Sequence, residues 1–186
     1  MIFELSASEK LLLKRLGVGI SKIMIFKMGA YPSAVSFVLN NNEIITIKGK
    51  GKDVAPRFEV FPIAVTNELF SSDPEQVIEI ENNNKCLQIE KLQKCEWEIP
   101  SSKNEKELTF GDSTNATSQY EGRCEDMPNN AINQAILDAG IRIKSNEDGT
   151  FVVATSMFPF SLYVSECEFS ESFDLSIYEY KSLTTL

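Results

Sequence analysis

Apolar and polar residues alternate with a period of two along much of this chain, most densely between Ala34 and Thr66. Val35, Phe37 and Leu39 share one face of an extended segment, and Ile45 and Ile47 can oppose them across Asn40-Asn41-Asn42. Asparagine tolerates the left-handed backbone of a tight turn, so the pattern predicts an antiparallel hairpin. Just before it, Ile20 to Met28 is apolar at both parities and reads as a buried strand. Just after it, Phe58 and Val60 share one parity while Ile63 and Val65 share the other. Pro62 has no amide for a ladder, so a bulge near Phe61-Pro62 is expected to return both pairs to one face.

The same logic recurs downstream. Ile78 and Ile80 alternate with Glu79 and Glu81, and Leu87 and Ile89 with Gln88 and Glu90, around a turn at Asn82 to Lys85. This predicts a second hairpin with its glutamates turned outward. Glu96-Trp97-Glu98-Ile99-Pro100 alternates again. A polar loop from Ser101 to Lys106, a short strand at Leu108 to Phe110 and a long loop from Gly111 to Asp126 follow. Further on, Ile141 to Lys144 and Thr150 to Thr155 form a hairpin around Asp148-Gly149, and Phe160 to Val164 and Phe173 to Ile177 read as strands.

Two segments change period. Ser6-x-x-Glu9 is a capping box, and Leu12, Leu13 and Leu16 give one apolar face, so a short helix is expected near 7–16, ended by Gly17 and Gly19. Ile132, Ala135, Ile136 and Ala139 fall at helical spacing, which predicts a second helix near 129–139, stopped by Gly140. The fold expected is α+β, predominantly antiparallel sheet built from hairpins with these two short helices; a pure β-sandwich is the alternative.

Composition narrows the function more than it defines it. The chain has 186 residues, 42% of them hydrophobic, which suits a single domain spanning 1–186. It contains no histidine, which removes Ser-His-Asp and Cys-His nucleophiles and the usual zinc sites. No catalytic residue, metal ligand set or cofactor motif is assigned. Lys48-Gly49-Lys50-Gly51-Lys52 lacks the Ser or Thr of a phosphate-binding P-loop and the third glycine of a dinucleotide loop, and reads as a charged turn.

Net charge is −9 and unevenly spread. Residues 1–66 carry nine Lys/Arg against five Asp/Glu, and residues 67–186 carry nine against twenty-two, giving +4 and −13. Such a body repels nucleic acid and anionic membrane and attracts basic proteins. The function expected is therefore a small acidic protein-binding module, of inhibitor or immunity type, for a basic protein partner. A carboxylate-based hydrolase and a scaffold using a sheet edge are the alternatives. The candidate contact residues are Glu79, Glu81, Glu96, Trp97 and Glu98 on strands, with Tyr120 and Arg123 in the long loop. Trp97 shares the parity of Ile99 and suits a core as well as an interface.

The first residues carry charges at Glu4, Glu9, Lys10, Lys14 and Arg15 that interrupt any apolar signal core, and no apolar run is long enough to span a membrane. A cytoplasmic location follows as the expectation. Cys86, Cys95, Cys124 and Cys167 show no paired spacing, so all four are expected as thiols. Thiol titration of the denatured, unreduced protein should count four; a count of two or zero defeats this expectation.

Overall fold

The structure is a computed structural model that describes residues 2–55, 58–71, 73, 75–82, 86–100, 132–145, 149–156, 160–165 and 174–185, with backbone alone at 54, 55, 58, 86, 87, 96–100, 132–134, 184 and 185. It is α+β with antiparallel sheet dominant. One sheet comprises β2 (Ile20–Met28), β3 (Tyr31–Leu39), β4 (Ile44–Gly49), β7 (Ile63–Thr66) and β8 (Gln76–Glu81), in the order β7-β4-β3-β2-β8. The other comprises β9 (Cys86–Pro100), β10 (Ile132–Ser145), β11 (Thr150–Thr155), β12 (Leu162–Val164) and β13 (Glu179–Thr185), in the order β12-β11-β10-β9-β13. The short β1 (Ile2–Phe3) lies parallel to β10, and β5 (Lys52–Ala55) pairs with β6 (Phe58–Val60) apart from both sheets.

The two large sheets share one core. Ile23, Ile25, Val35, Phe37, Ile45 and Ile47 from the first meet Ile89, Ile141, Ile143, Val153 and Val164 from the second. Phe37 is fully buried and meets Phe151 edge-on at 5.8 Å between ring centroids. The predicted first hairpin is present in register, with Val35 opposite Ile47 and Phe37 opposite Ile45. Asn42 takes the left-handed conformation in its turn, with φ of 65°.

The first helix, α1, runs Ala7–Lys14 and tightens into a 3-10 turn at Arg15–Val18. Its capping box is complete: the Ser6 hydroxyl accepts from the Glu9 amide at 3.2 Å, and Glu9 Oε2 accepts from the Ser6 amide at 2.8 Å. Leu13 and Leu16 bury its apolar face.

No second helix forms where the spacing of Ile132, Ala135, Ile136 and Ala139 predicts one. Residues 132–139 are the first part of β10, and 129–131 lie outside the described residues. Ala135, Leu137 and Ala139 also fit a period of two, and all three are buried. Pairing with β9 along the whole strand outweighs the weak helical preference of the segment. Gly140 continues the strand rather than stopping a helix. A Cβ there would lie 2.4 Å from the Val153 carbonyl oxygen, so only glycine lets β11 approach this closely.

Other expectations change in the same way. Val77 to Glu81 and Leu87 to Glu90 do not form a hairpin, because β8 pairs with β2 while β9 pairs with β10 and β13. The segment Phe58 to Val65 is two strands in different sheets rather than one bulged strand, with Pro62 between them and its carbonyl accepting from the Lys50 amide at 2.9 Å. Val60, Ile63 and Val65 are buried as expected. Lys48 and Gly49 end β4 and Lys52 begins β5, so the expected loop shrinks to Lys50-Gly51. Leu175–Ile177 is a 3-10 turn, followed by the unpredicted β13.

Glu9 also fastens α1 to the sheet. Its Oε1 accepts from the Val65 amide at 3.2 Å, at the outer side of edge strand β7. Burial works against its charge, but hydrogen bonds from Ser6 and Val65 and the nearby Lys50 outweigh it and hold its pKa below the usual 4.5. A depressed carboxylate stabilises the fold above its unfolded pKa and loses that contribution as pH falls through the folded value. Glu9→Ala should therefore cost about 1–2 kcal/mol near neutral pH. Its difference from the parent in denaturant titrations should vanish as the pH falls below 4.5 and through the lowered pKa.

Candidate functional site

The predicted contact residues fall into two separate places, because β8 and β9 belong to different sheets. Glu79 and Glu81 lie on β8, an edge strand, and project to the outer side of the first sheet while Ile78 and Ile80 pack against the core. Lys22 on β2 sits between the two glutamates. Its ammonium is 3.1 Å from Glu79 and 3.7 Å from Glu81. The hydrogen bond that Lys22 donates to Glu79, and then the charge of that carboxylate, raise the Lys22 pKa, with Glu81 adding to both effects. The carboxylates nonetheless keep 51% and 77% of their side-chain exposure, so one lysine faces two accessible negative charges.

Glu96, Trp97 and Glu98 lie on β9, whose backbone pairs with β10. Glu98 pairs with Gln134 and Glu96 with Ala135, so Trp97 falls at a register shift and interrupts the expected alternation. Their side chains lie outside the described residues, as do Tyr120 and Arg123 entirely, together with the loops and short strand expected between 101 and 131.

Sequence reasoning missed the most heavily bonded polar groups. Asp138 on β10 is fully buried. Its Oδ1 accepts from Lys91 at 2.9 Å and Gln93 at 3.1 Å; its Oδ2 accepts from Lys91 at 3.1 Å and the Leu5 amide at 2.8 Å. A carboxylate offers about four acceptor positions, and all are filled. Lys91 also lies 3.6 Å from Glu4, and Lys181 bonds to Gln93. The signal was present: one aspartate inside an apolar run, and Lys91 and Gln93 in the parity of buried Ile89.

On the opposite face of the second sheet, Glu90 is buried although the alternation turned it outward. Arg142 and Lys144 both pair with it, and the Arg142 guanidinium stacks on Tyr180 at 3.6 Å. Both carboxylates are committed to partners within the fold. Among the described residues no group of three or more Cys, Asp and Glu could hold a metal ion. An open depression of about 260 Å³ beside α1, lined by Leu12, Arg15, Asn42, Glu43, Ile44, Ile45 and Asn67, presents one carboxylate already 3.5 Å from Arg15.

The glycines of the Lys48–Lys52 segment serve packing. A Cβ at Gly49 would meet the Phe160 backbone at 3.3 Å, and one at Gly51 would meet Glu59 at 2.7 Å and the Phe160 ring at 3.3 Å. Phe160 stacks edge-on against Phe61 there, with a backbone φ of 59°.

No family model, curated protein or solved structure matches this chain. No helix among the described residues is long and apolar enough to cross a membrane.

Removing Asp138 leaves a buried ammonium without its main partner, and breaking such a pair costs about 3–5 kcal/mol. Asp138→Ala should lower unfolding stability by that amount, and adding Lys91→Met should restore much of it. Equal stability of the parent and Asp138→Ala in denaturant titrations would contradict the role given to this pair.

Proposed function

We propose that this chain is a protein-binding module of inhibitor or immunity type that engages a basic protein partner through the acidic edge of its first sheet. The observation that carries this reading is β8, an edge strand whose Glu79 and Glu81 remain accessible beside the single charge of Lys22. The −13 carried by residues 67–186 in the sequence has the same sign. Complementary charge speeds encounter and suppresses acidic competitors, and the sign disfavours nucleic acid.

The hydrolase reading has less support. Paired-carboxylate catalysis needs two carboxyl groups about 5–9.5 Å apart across a bound substrate. Among the described residues, Asp138 and Glu90 are saturated by partners within the fold, and Glu79 and Glu81 stand on an edge strand with no described residue paired to its outer side. The scaffold reading draws on the same edge as the binding module and differs only in whether the partner is another structural subunit.

The test is association kinetics with a basic protein recovered from the native host. Raising salt from 0.1 to 1 M shortens the Debye length from about 10 to about 3 Å, so the association rate should fall steeply. Glu79→Lys with Glu81→Lys should slow association without changing the fold, since both side chains are exposed. The pair Glu96→Lys and Glu98→Lys, on the other sheet, is measured separately. An association rate indifferent to salt and to both reversals would sink this reading.

A further inference from the structure

The two edges of the first sheet are treated differently. At β7 the outward amide of Val65 is taken by Glu9, and α1 lies alongside. At β8 no described residue pairs with the outer side of the strand. The Asn82 amide donates to the Ser21 carbonyl at 2.9 Å, which sets the phase of the β2–β8 ladder. In an antiparallel ladder alternate residues turn both backbone groups to the same neighbour. Ile78 and Ile80 therefore face β2, and the amides and carbonyls of Val77, Glu79 and Glu81 face the open edge. The start of the strand is held as well: the Glu75 carboxylate accepts from the Gly29 amide at 2.9 Å, and the Glu75 amide donates to the Lys27 carbonyl at 3.0 Å.

Resting on the protein-binding reading above, we infer that β8 is the docking element itself: it accepts one extended, antiparallel segment of the partner as an added strand, in which basic residues alternate with apolar ones. The alternation follows from the two sides of β8. Residues placed opposite Glu79 and Glu81 lie on the outer side, where a lysine or arginine meets a carboxylate only partly answered by Lys22. Residues between them lie on the side of Ile78 and Ile80, which pack at the margin of the core and are only partly covered. Apolar residues there extend the core by one strand. Main-chain bonds supply the affinity and side-chain alternation the selectivity, as in other strand additions. A second copy of β8 is a poor occupant, because its glutamates would add like charge along the same edge.

The probe is an acetylated and amidated heptapeptide alternating valine and lysine, with a scrambled peptide and a valine–glutamate peptide as controls. Hydrogen exchange on the parent protein should show slowed exchange at the Val77, Glu79 and Glu81 amides with the valine–lysine peptide alone. The amides of Ile78 and Ile80, already bonded to β2, should change little. Val77→Pro removes one outward amide and leaves the β2 ladder and every charge in place. It should weaken binding of the peptide about tenfold or more, while Glu79→Gln and Glu81→Gln should each weaken it about two- to five-fold. Failure of the peptide to slow those three amides overturns the inference, as does equal binding by a folded Val77→Pro. So does concentration-dependent dimerisation through β8 in sedimentation. If Val77→Pro still captures the basic host protein at a salt-dependent rate, the added strand is wrong and the binding-module reading stands. Loss of salt dependence in the parent removes the binding-module reading instead.

Discussion

The Asp138 carboxylate holds together parts of the chain that have little else in common. It ties the central strand β10 to Lys91 and Gln93 on β9 and to the Leu5 amide just beyond β1. It also sits beside a register shift, where Asp138 pairs with Gln93 and Gly140 with Leu92. A one-residue slip in this long strand pair would turn its apolar residues to the wrong side. The shift lets Ala135, Leu137 and Ala139 line one cluster while Ile141 and Ile143 line the other. An ion pair with every acceptor filled suits that position, because any slip leaves two charges buried and unsatisfied.

Much of the first sheet was legible, and the reason is local. Its central hairpin needs only an asparagine turn and two apolar faces, all within Val35 to Ile47. The second sheet was harder because its decisive contacts are distant. The alternation of Ile78 and Ile80 is the same whether β8 pairs with β9 or with β2, so sequence could not choose between a hairpin and a change of sheet. The 132–139 segment fits two periods because alanine, leucine and isoleucine serve either. β13, with Lys181 and Ser182 flanked by Tyr180 and Leu183, lacks a clean pattern because an edge strand buries little.

The candidate site was legible in part for the same reason. Outward projection of Glu79 and Glu81 follows from parity alone, and the structure bears it out. That β8 is an edge, that Lys22 stands between the two carboxylates, and that β7 is closed by Glu9 all depend on sheet order. Glu90 shows the converse: its parity is that of an outward residue, but Tyr180 and Arg142 cover that face. Part of the outer face of the first sheet, around Thr46 and Phe26, is likewise covered. The connection after β7 crosses it, with the Thr46 hydroxyl donating to the Glu68 carbonyl at 2.6 Å and Phe70 against Phe26 at 5.4 Å. This leaves the rim more available than that face.

The place of β1 has a consequence for biosynthesis. Leu5 and Asp138 are 133 residues apart in sequence, yet they share a buried hydrogen bond. At about 5–20 residues per second, a ribosome needs roughly 7 to 27 seconds to make the intervening chain. During that interval the first residues have no strand to dock against, and β9 lacks its central neighbour. The first sheet, complete by Glu81, is in a position to form first and to offer its inner face to the strands that follow. Nascent chains of this protein thus carry an exposed half-core from the completion of β8 until β10 and β11 have been made, which is when a chaperone has most to bind.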